Sequence, residues 1–146
     1  EIEAVDLINY MRAQIPLDDN ALKISMNTDA VLPKIKVNKI RVSRALLNIV
    51  ENAIFAPTNF SVKEILIKAT RENEMLNISI TDNGTGIPNE ILEKVWEPGY
   101  STKGSTGLGL YFVKKIVEDN EGTVEIISEP DIGTTVTIRF PVAERG

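Results

Sequence analysis

Hydrophobic residues recur along the chain with two distinct periods. Val5, Ile8, Met11 and Ile15 fall at helical spacing over residues 4–15, and Pro16 ends that run. Leu22, Ile24 and Met26 then alternate with polar neighbours, which predicts a half-buried strand. After Pro33 comes the longest helical pattern, from Lys39 to Ala56, with Val42, Leu46, Ile49, Val50 and Ala53 on one stripe and Pro57 closing it. Two alternating strands follow, Ile65-Ile67-Ala69 and Leu76-Ile78-Ile80, with Glu72-Asn73-Glu74 as the turn. A helix opening near Thr106 or Gly107 turns Leu110, Val113, Ile116 and Val117 inward and stops at Asn120 to Gly122. Strands near Thr123–Ser128 and Thr134–Phe140, joined through Pro130-Asp131-Ile132-Gly133, finish the sequence. The order α-β-α-β-β-loop-α-β-β predicts an α+β fold, a two-layer sandwich in which helices cover one face of a mixed sheet. No repeat, low-complexity stretch or composition break divides residues 1–146, which read as a single domain.

Between Asp82 and Gly107 the periodic signal lapses for about 25 residues, with at most a short helix around Asn89 to Val95, and loops of that length are usually functional or disordered. This stretch holds Gly84, Gly86, Gly99, Gly104 and Gly107, five of the nine glycines. Such an entropic cost points to close approach of backbone to a ligand. Composition narrows the chemistry. The chain has neither cysteine nor histidine, which excludes a Cys/His zinc site, a disulfide, a thiol nucleophile and histidine acid–base catalysis. The formal charge of −5 comes without a basic stripe, an argument against general nucleic-acid binding. No apolar run approaches the roughly 20 residues of a membrane span, and the lack of cysteine is compatible with the cytoplasm.

Three clusters could carry chemistry, and each also has a plain structural explanation. Asn48, Glu51 and Asn52 stand at i, i+3 and i+4 of the long helix, on one patch away from its apolar stripe. Their oxygens suit a hard cation such as Mg²⁺, although the same pattern describes a solvated polar face. Asp82-Asn83-Gly84-Thr85-Gly86-Ile87-Pro88 follows a strand. It reads as a turn, or as an aspartate accepting from an exocyclic amine such as adenine's while Gly84 and Gly86 expose bare backbone to a flat ring. It is no dinucleotide fingerprint, since Asn89 stands where a third glycine is due. Ser101-Thr102-Lys103-Gly104-Ser105-Thr106-Gly107-Leu108-Gly109-Leu110 leads into a helix. It is either a surface loop or a phosphate site made of helix amides, hydroxyls and Lys103, without the Gly-Lys-Ser/Thr of a P-loop. Trp96 and Tyr100, flanking Glu97-Pro98-Gly99, read as loop anchors.

The order and spacing of these motifs resemble the ATP-binding catalytic domain of sensor histidine kinases, in the superfamily that also holds DNA gyrase B, Hsp90 and MutL. The likeness spans about residues 30 to 141. It rests on Asn48-x-x-x-Asn52-Ala53, Asp82-x-Gly84-x-Gly86, Trp96-Glu97-Pro98, Gly107-Leu108-Gly109-Leu110 and Gly133-Thr134. The resemblance implies the Bergerat ATP-binding fold, with ATP and Mg²⁺ as cofactors. It implies that Asn48 and Asn52 meet Mg²⁺ and phosphates, that Asp82 reads adenine, and that Gly84, Gly86 and Ile87 shape the base pocket. Residues 96–103 would start a mobile lid. Thr102, Lys103, Gly104, Thr106, Gly107, Leu108, Gly109 and Leu110 would line the phosphates, and Thr134 would support Asp82 and the base.

The departures carry information too. Sensor kinases often have a lysine three residues after the second asparagine, where this chain has Phe55; Lys103 is the candidate to take over that charge. Asn-x-x-Glu-Asn-Ala with Gly-Tyr-Ser-Thr-Lys-Gly resembles the citrate and dicarboxylate sensor type. Hydrolysing relatives place a water-activating glutamate four residues before the metal-binding asparagine. Here Asn48 holds that position and cannot serve as a base, with Glu51 a helical neighbour. The expectation is therefore γ-phosphoryl transfer from ATP, with Asn48, Glu51 and Lys103 as the catalytic set. The acceptor is expected to be a histidine on a separate dimerisation domain of the same kinase, through which a response regulator would be served. Neither nucleic acid nor membrane contact is expected of this domain, and its place is the cytoplasm, including the cytoplasmic part of a membrane-anchored kinase. Residues 1–15 are either the tail of a linker from that dimerisation domain or the first helix of this one. The rival readings are a serine kinase of the anti-sigma-factor type and a degenerate module that binds protein partners without nucleotide.

Overall fold

The computed structural model describes residues 1–15, 21–87, 89–97 and 108–143. In chain order the elements are β1 (Ile2–Glu3), α1 (Ala4–Arg12), β2 (Leu22–Thr28), β3 (Lys34–Ile35), α2 (Lys39–Phe55), β4 (Lys63–Glu72), β5 (Met75–Asp82), α3 (Asn89–Leu92), α4 (Leu108–Asp119), β6 (Thr123–Glu129) and β7 (Gly133–Pro141). The main sheet has the order β2-β4-β5-β7-β6, with β2 parallel to β4 and the other pairs antiparallel. It is the mixed sheet of an α+β fold, as the alternation of periods predicts.

Strand patterning explains the layering. Along β4, Lys63, Ile65, Ile67 and Ala69 are buried while the residues between them are not, and on β5 Leu76, Ile78, Ile80 and Asp82 are buried in the same way. A period of two puts each set on one face, and the helices cover that face. From α2 come Val42, Leu46, Ile49, Val50 and Ala53; from α4 come Leu110, Val113, Ile116 and Val117. Phe140 of β7 is among the largest side chains with no exposure in this core. No helix among the described residues is long and apolar enough to cross a membrane.

Three local features refine the expectations. Helix α1 ends at Arg12 rather than Ile15, and Leu7 takes the buried position that Val5 was expected to fill; Val5 is 44% exposed. The period of 3.6 puts Ala4, Leu7, Ile8 and Met11 on one face, and all four are buried. A second, two-stranded sheet joins β1 to β3, with Ile2 opposite Ile35, and Val142 bridges Ile35 as well. Helix α4 stops where expected, by a Schellman turn: the Gly122 amide donates to the Val117 carbonyl at 2.9 Å. The left-handed residue there is Glu121, at φ +65°, and not one of the flanking Asn120 or Gly122.

The start of α2 lies against the end of α4. Asn38 caps α2 by accepting from the Arg41 amide at 3.0 Å, its own amide donates to the Asn120 side chain at 2.9 Å, and Arg41 pairs with Asp119 at 3.8 Å. These polar contacts fix the axial position of α2, and with it the height at which Asn48 and Asn52 stand above the sheet.

Because Leu7 has no exposure, Leu7→Ala is expected to lower the stability of the whole domain by about 3 kcal/mol through lost burial and a residual cavity. Urea unfolding followed by far-UV circular dichroism measures this. An unchanged midpoint would show α1 to be a passive appendage.

Candidate functional site

The site is built where β5 ends between the starts of β4 and β7, on the helix-facing side of the sheet. Asp82 is the last residue of β5, opposite Ile65 of β4 and Thr134 of β7. The alternation that buries Leu76, Ile78 and Ile80 delivers this carboxylate to the same face, where it is only 9% exposed. It accepts from the Gly84 amide at 2.7 Å. Burial pushes the Asp82 carboxyl above the ordinary carboxylate range, while the Gly84 amide, the charge of Lys63 and the Thr134 amide act against that rise.

The loop after Asp82 is latched on both sides. Toward the α2–β4 connection, Asn83 donates to the Val62 carbonyl and accepts from the Glu64 amide, each at 2.9 Å, and its own carbonyl accepts from the Thr58 hydroxyl at 2.7 Å. Asn83 thus extends the β4–β5 pairing by side chain after the strand has ended. The Thr85 amide donates to the Pro57 carbonyl at 2.8 Å, and the Thr85 carbonyl accepts from the Asp131 amide at 2.8 Å. Toward β6 and β7, the Ile87 amide donates to Ser128 Oγ at 2.7 Å, and Ser128 Oγ lies 2.8 Å from Thr134 Oγ1.

Two glycines make this packing possible. Gly86 sits at φ +88°, and a Cβ there would come within 2.6 Å of the Glu129 carbonyl oxygen. Gly133 sits at φ +147°, where a Cβ would fall 2.0 Å from the Asp82 carbonyl oxygen. The backbone runs against itself at both points, so only glycine fits.

The candidate residues divide as follows. Asp82, Gly84, Gly86, Ile87 and Thr134 come together in this one region. Thr134 is buried, with its hydroxyl paired to Ser128 and its amide turned to Asp82. Asn48 and Asn52 are half-buried on α2, and Glu51 is exposed. A Cβ on Gly84 would lie 3.3 Å from the Ala56 Cβ, so the Asp82 loop abuts the end of α2. Asn52 precedes Ala56 by one turn, about 6 Å along the axis, and Asn48 by two. Leu108, Gly109 and Leu110 open α4, whose first-turn amides lack helical acceptors. Thr102, Lys103, Gly104, Thr106 and Gly107, like Tyr100 of the aromatic pair, lie outside the described residues. Trp96 stacks under the Lys114 ammonium of α4, 5.6 Å from its ring centroid, while Phe55 is 71% exposed.

Sequence reasoning overlooked Lys63, Asn83 and Ser128. Lys63 is 6% exposed, and its ammonium donates to the Ala56 carbonyl. Burial lowers its pKa, and the charge of Asp82 works against that fall. One more step back along the Ile65, Ile67, Ala69 alternation would have placed it inside.

Three strand termini thus meet at a buried carboxylate, beside a helix bearing two asparagines, in a two-layer α+β fold. Residues 37–144 match the family described as Histidine kinase-, DNA gyrase B-, and HSP90-like ATPase, and the chain belongs to that family. Over 97% of its length it is 35% identical to the sensor histidine kinase ZraS of Escherichia coli (strain K12), spanning 31% of that relative. Over 64% of its length it is 39% identical to a probable C4-dicarboxylate sensor kinase of Halalkalibacterium halodurans, spanning 18% of that protein. The chain therefore covers about a third or less of these curated relatives. Among solved structures, the catalytic domain of the histidine kinase ThkA superposes with a TM-score of 0.78 at 25% identity, covering 97% of this chain and 95% of that one. Full-length ShkA in complex with AMPPNP shares the fold, with a TM-score of 0.84 at 21% identity over 99% of this chain and 31% of that one.

Gly133→Ala is expected to cost more than about 2 kcal/mol, because strain at the β7 entry adds to the clash with Asp82. A urea midpoint equal to that of the unaltered protein would show that the turn relaxes without disturbing the site.

Proposed function

We propose that the chain binds ATP with Mg²⁺ and donates the γ-phosphate to a histidine on a separate dimerisation domain of the same kinase, as the catalytic part of a two-component sensor kinase. The observation that carries this reading is Asp82. A carboxylate this buried, anchored by the backbone amides of Gly84, at 2.7 Å, and Thr134, retains acceptor capacity toward a ligand N–H. The exocyclic amine of adenine supplies that donor. Gly84 and Gly86 let the loop pack against Pro57 and Glu129 beside that carboxylate, and the resemblance sets them, with Ile87, around the base. Family membership and the sensor-kinase names of the relatives support the same reading.

Phosphates fit the turns of α2 that carry Asn48 and Asn52 and the start of α4. The free amides at Leu108 to Leu110 and the helix dipole favour anionic oxygens, and Thr102, Lys103, Gly104, Thr106 and Gly107 are assigned to the same task by resemblance. Among the described residues no three Asp, Glu, His or Cys side chains converge, so amide oxygens of Asn48 and Asn52 are the protein donors for the cation. Such a donor set suits Mg²⁺, which keeps several waters and takes phosphate oxygens as ligands. When bound, Mg²⁺ neutralises charge on the phosphates. The remaining work of the chain is positioning: Asp82 fixes the base, and the amides of α4 and Lys103 hold the phosphoryl group in line with its acceptor. Asn48 cannot take a proton from water, which favours transfer over hydrolysis. The chain has no histidine, so the acceptor is supplied by another domain, and a response regulator would be served through it.

Calorimetric titration with ADP and Mg²⁺ tests the nucleotide site. Asp82→Asn is expected to weaken binding by roughly 10- to 100-fold, the cost of a charge-assisted hydrogen bond; wild-type affinity in that variant would end the adenine assignment. Incubation with ATP and a helical domain carrying the acceptor histidine should give an acid-labile phosphoprotein, and Asn52→Ala should abolish it. Acid-stable phosphate on serine would instead favour the anti-sigma-factor type.

The raised pKa of Asp82 gives a second prediction, with its sign worked out from linkage. Folded protein takes up this proton at higher pH than unfolded chain, so acidification through the folded-state pKa favours folding while it removes the acceptor charge. Relative to Asp82→Asn, the wild-type protein should therefore gain stability and lose ADP affinity over the same interval above about pH 4. Parallel melting and calorimetric series measure both, and trends of the same sign would contradict the assignment.

A further inference from the structure

Lys63 lies outside every motif of the sequence and outside the chemistry just described, yet it is 6% exposed. An ammonium removed from water is costly unless hydrogen-bonded and compensated, and a methionine or leucine would fill the same space without that cost. Its position explains what a neutral side chain would not supply. Lys63 opens β4 on the face shared with Ile65, whose partner across the pairing is Asp82. Its ammonium donates to the carbonyl of Ala56, the residue that ends α2. That helix has no basic residue in its last turn, so Lys63 brings positive charge to the negative end of the helix dipole.

The hydrogen bond of Lys63 goes to the helix end, while its charge reaches Asp82. The carboxylate takes its own hydrogen bonds from the amides of Gly84 and Thr134. A direct salt bridge would occupy acceptor positions, whereas a nearby ammonium stabilises the charge and leaves them to a ligand. Asn83, Thr58 and Thr85 already latch residues 57–64 to the Asp82 loop, so closure of that joint does not explain the charge. Charged groups on the flanking elements toward this end include Glu51 of α2, Glu64 of β4, and Glu129 and Asp131 at the β6–β7 turn. All four are exposed, and Asp131 is engaged by Asn59 at 3.3 Å.

We infer that Lys63 is a positioning residue for base recognition, joining the C-terminal end of α2 to the Asp82 loop and supplying the counter-charge of the base-reading carboxylate. The inference rests on the reading of Asp82 as the adenine acceptor. It ties the helix that carries Asn48 and Asn52 to the residue that reads the base, through one buried cation.

The test is calorimetric titration with ADP and Mg²⁺ from about pH 4 upward to pH 8, beginning at the ordinary carboxylate range. It uses the full chain and its Lys63→Met, Lys63→Arg and Asp82→Asn variants. Lys63→Met should bind ADP roughly tenfold more weakly near neutral pH, through loss of the favourable charge beside Asp82. It should also lose affinity at a higher pH than the wild-type protein on acidification, and Lys63→Arg should restore the wild-type profile. Wild-type affinity and profile in Lys63→Met overturn the inference, and so does an equal loss at every pH, which marks a packing role alone. If Asp82→Asn loses binding while Lys63→Met follows the wild type, the role of Lys63 falls and the base site stands. If Asp82→Asn also binds like the wild type, the base site itself falls and takes the inference with it. Should Lys63→Met fail to fold by circular dichroism, Lys63→Gln, which keeps a donor for Ala56 without the charge, is read by the same criteria.

Discussion

A carboxylate taken out of water has to be compensated from all sides, and the architecture around Asp82 follows from that constraint. The sheet provides the burial, because the register of β5 between β4 and β7 sets Asp82 opposite Ile65 and Thr134. The backbone provides amides from Gly84 and Thr134, and β4 provides the cation at Lys63. Each of these comes from a different strand or loop, so the local chemistry of the site exists only once the long-range pairing is complete. Burial still outweighs the compensation, since the carboxyl remains above its ordinary range. An amide of the same shape would avoid much of that cost.

The helices serve the same end from above. Contact of Asn38 with Asn120 and of Arg41 with Asp119 clamps the start of α2 to the end of α4, and the Lys63–Ala56 contact clamps the end of α2 to the sheet. A helix held at both termini cannot slide, so the half-buried Asn48 and Asn52 keep a fixed relation to Asp82. Position along that rod converts sequence spacing into a fixed separation from the buried carboxylate.

Much of this was legible in the sequence because it rests on periodicity. The 3.6-residue stripes of α2 and α4 and the alternation in β4, β5 and β7 leave few other arrangements for a core of this size. Leu7 was missed because Val5, Ile8, Met11 and Ile15 fit nearly as well as the true stripe, and only packing against α2 separates them. Strands β1 and β3 have two residues each, too few to show a period. In the site, Asp82, Gly84, Gly86 and Thr134 belong to motifs and could be named. Lys63, Asn83 and Ser128 could not, because their roles depend on which strand ends lie side by side. A lysine at a strand start reads as solvent-exposed until the register places it beside a carboxylate and a helix end.

The small sheet has a geometric consequence of another kind. Ile35 pairs with Ile2 on one side and with Val142 on the other, so Ile2 and Val142 lie two strand spacings apart, about 10 Å. Residues at opposite ends of the fold's element order thus share one edge of the domain. The same proximity makes it a natural candidate for circular permutation, with a short linker closing the ends and new termini opened in an exposed turn such as that at Asn73.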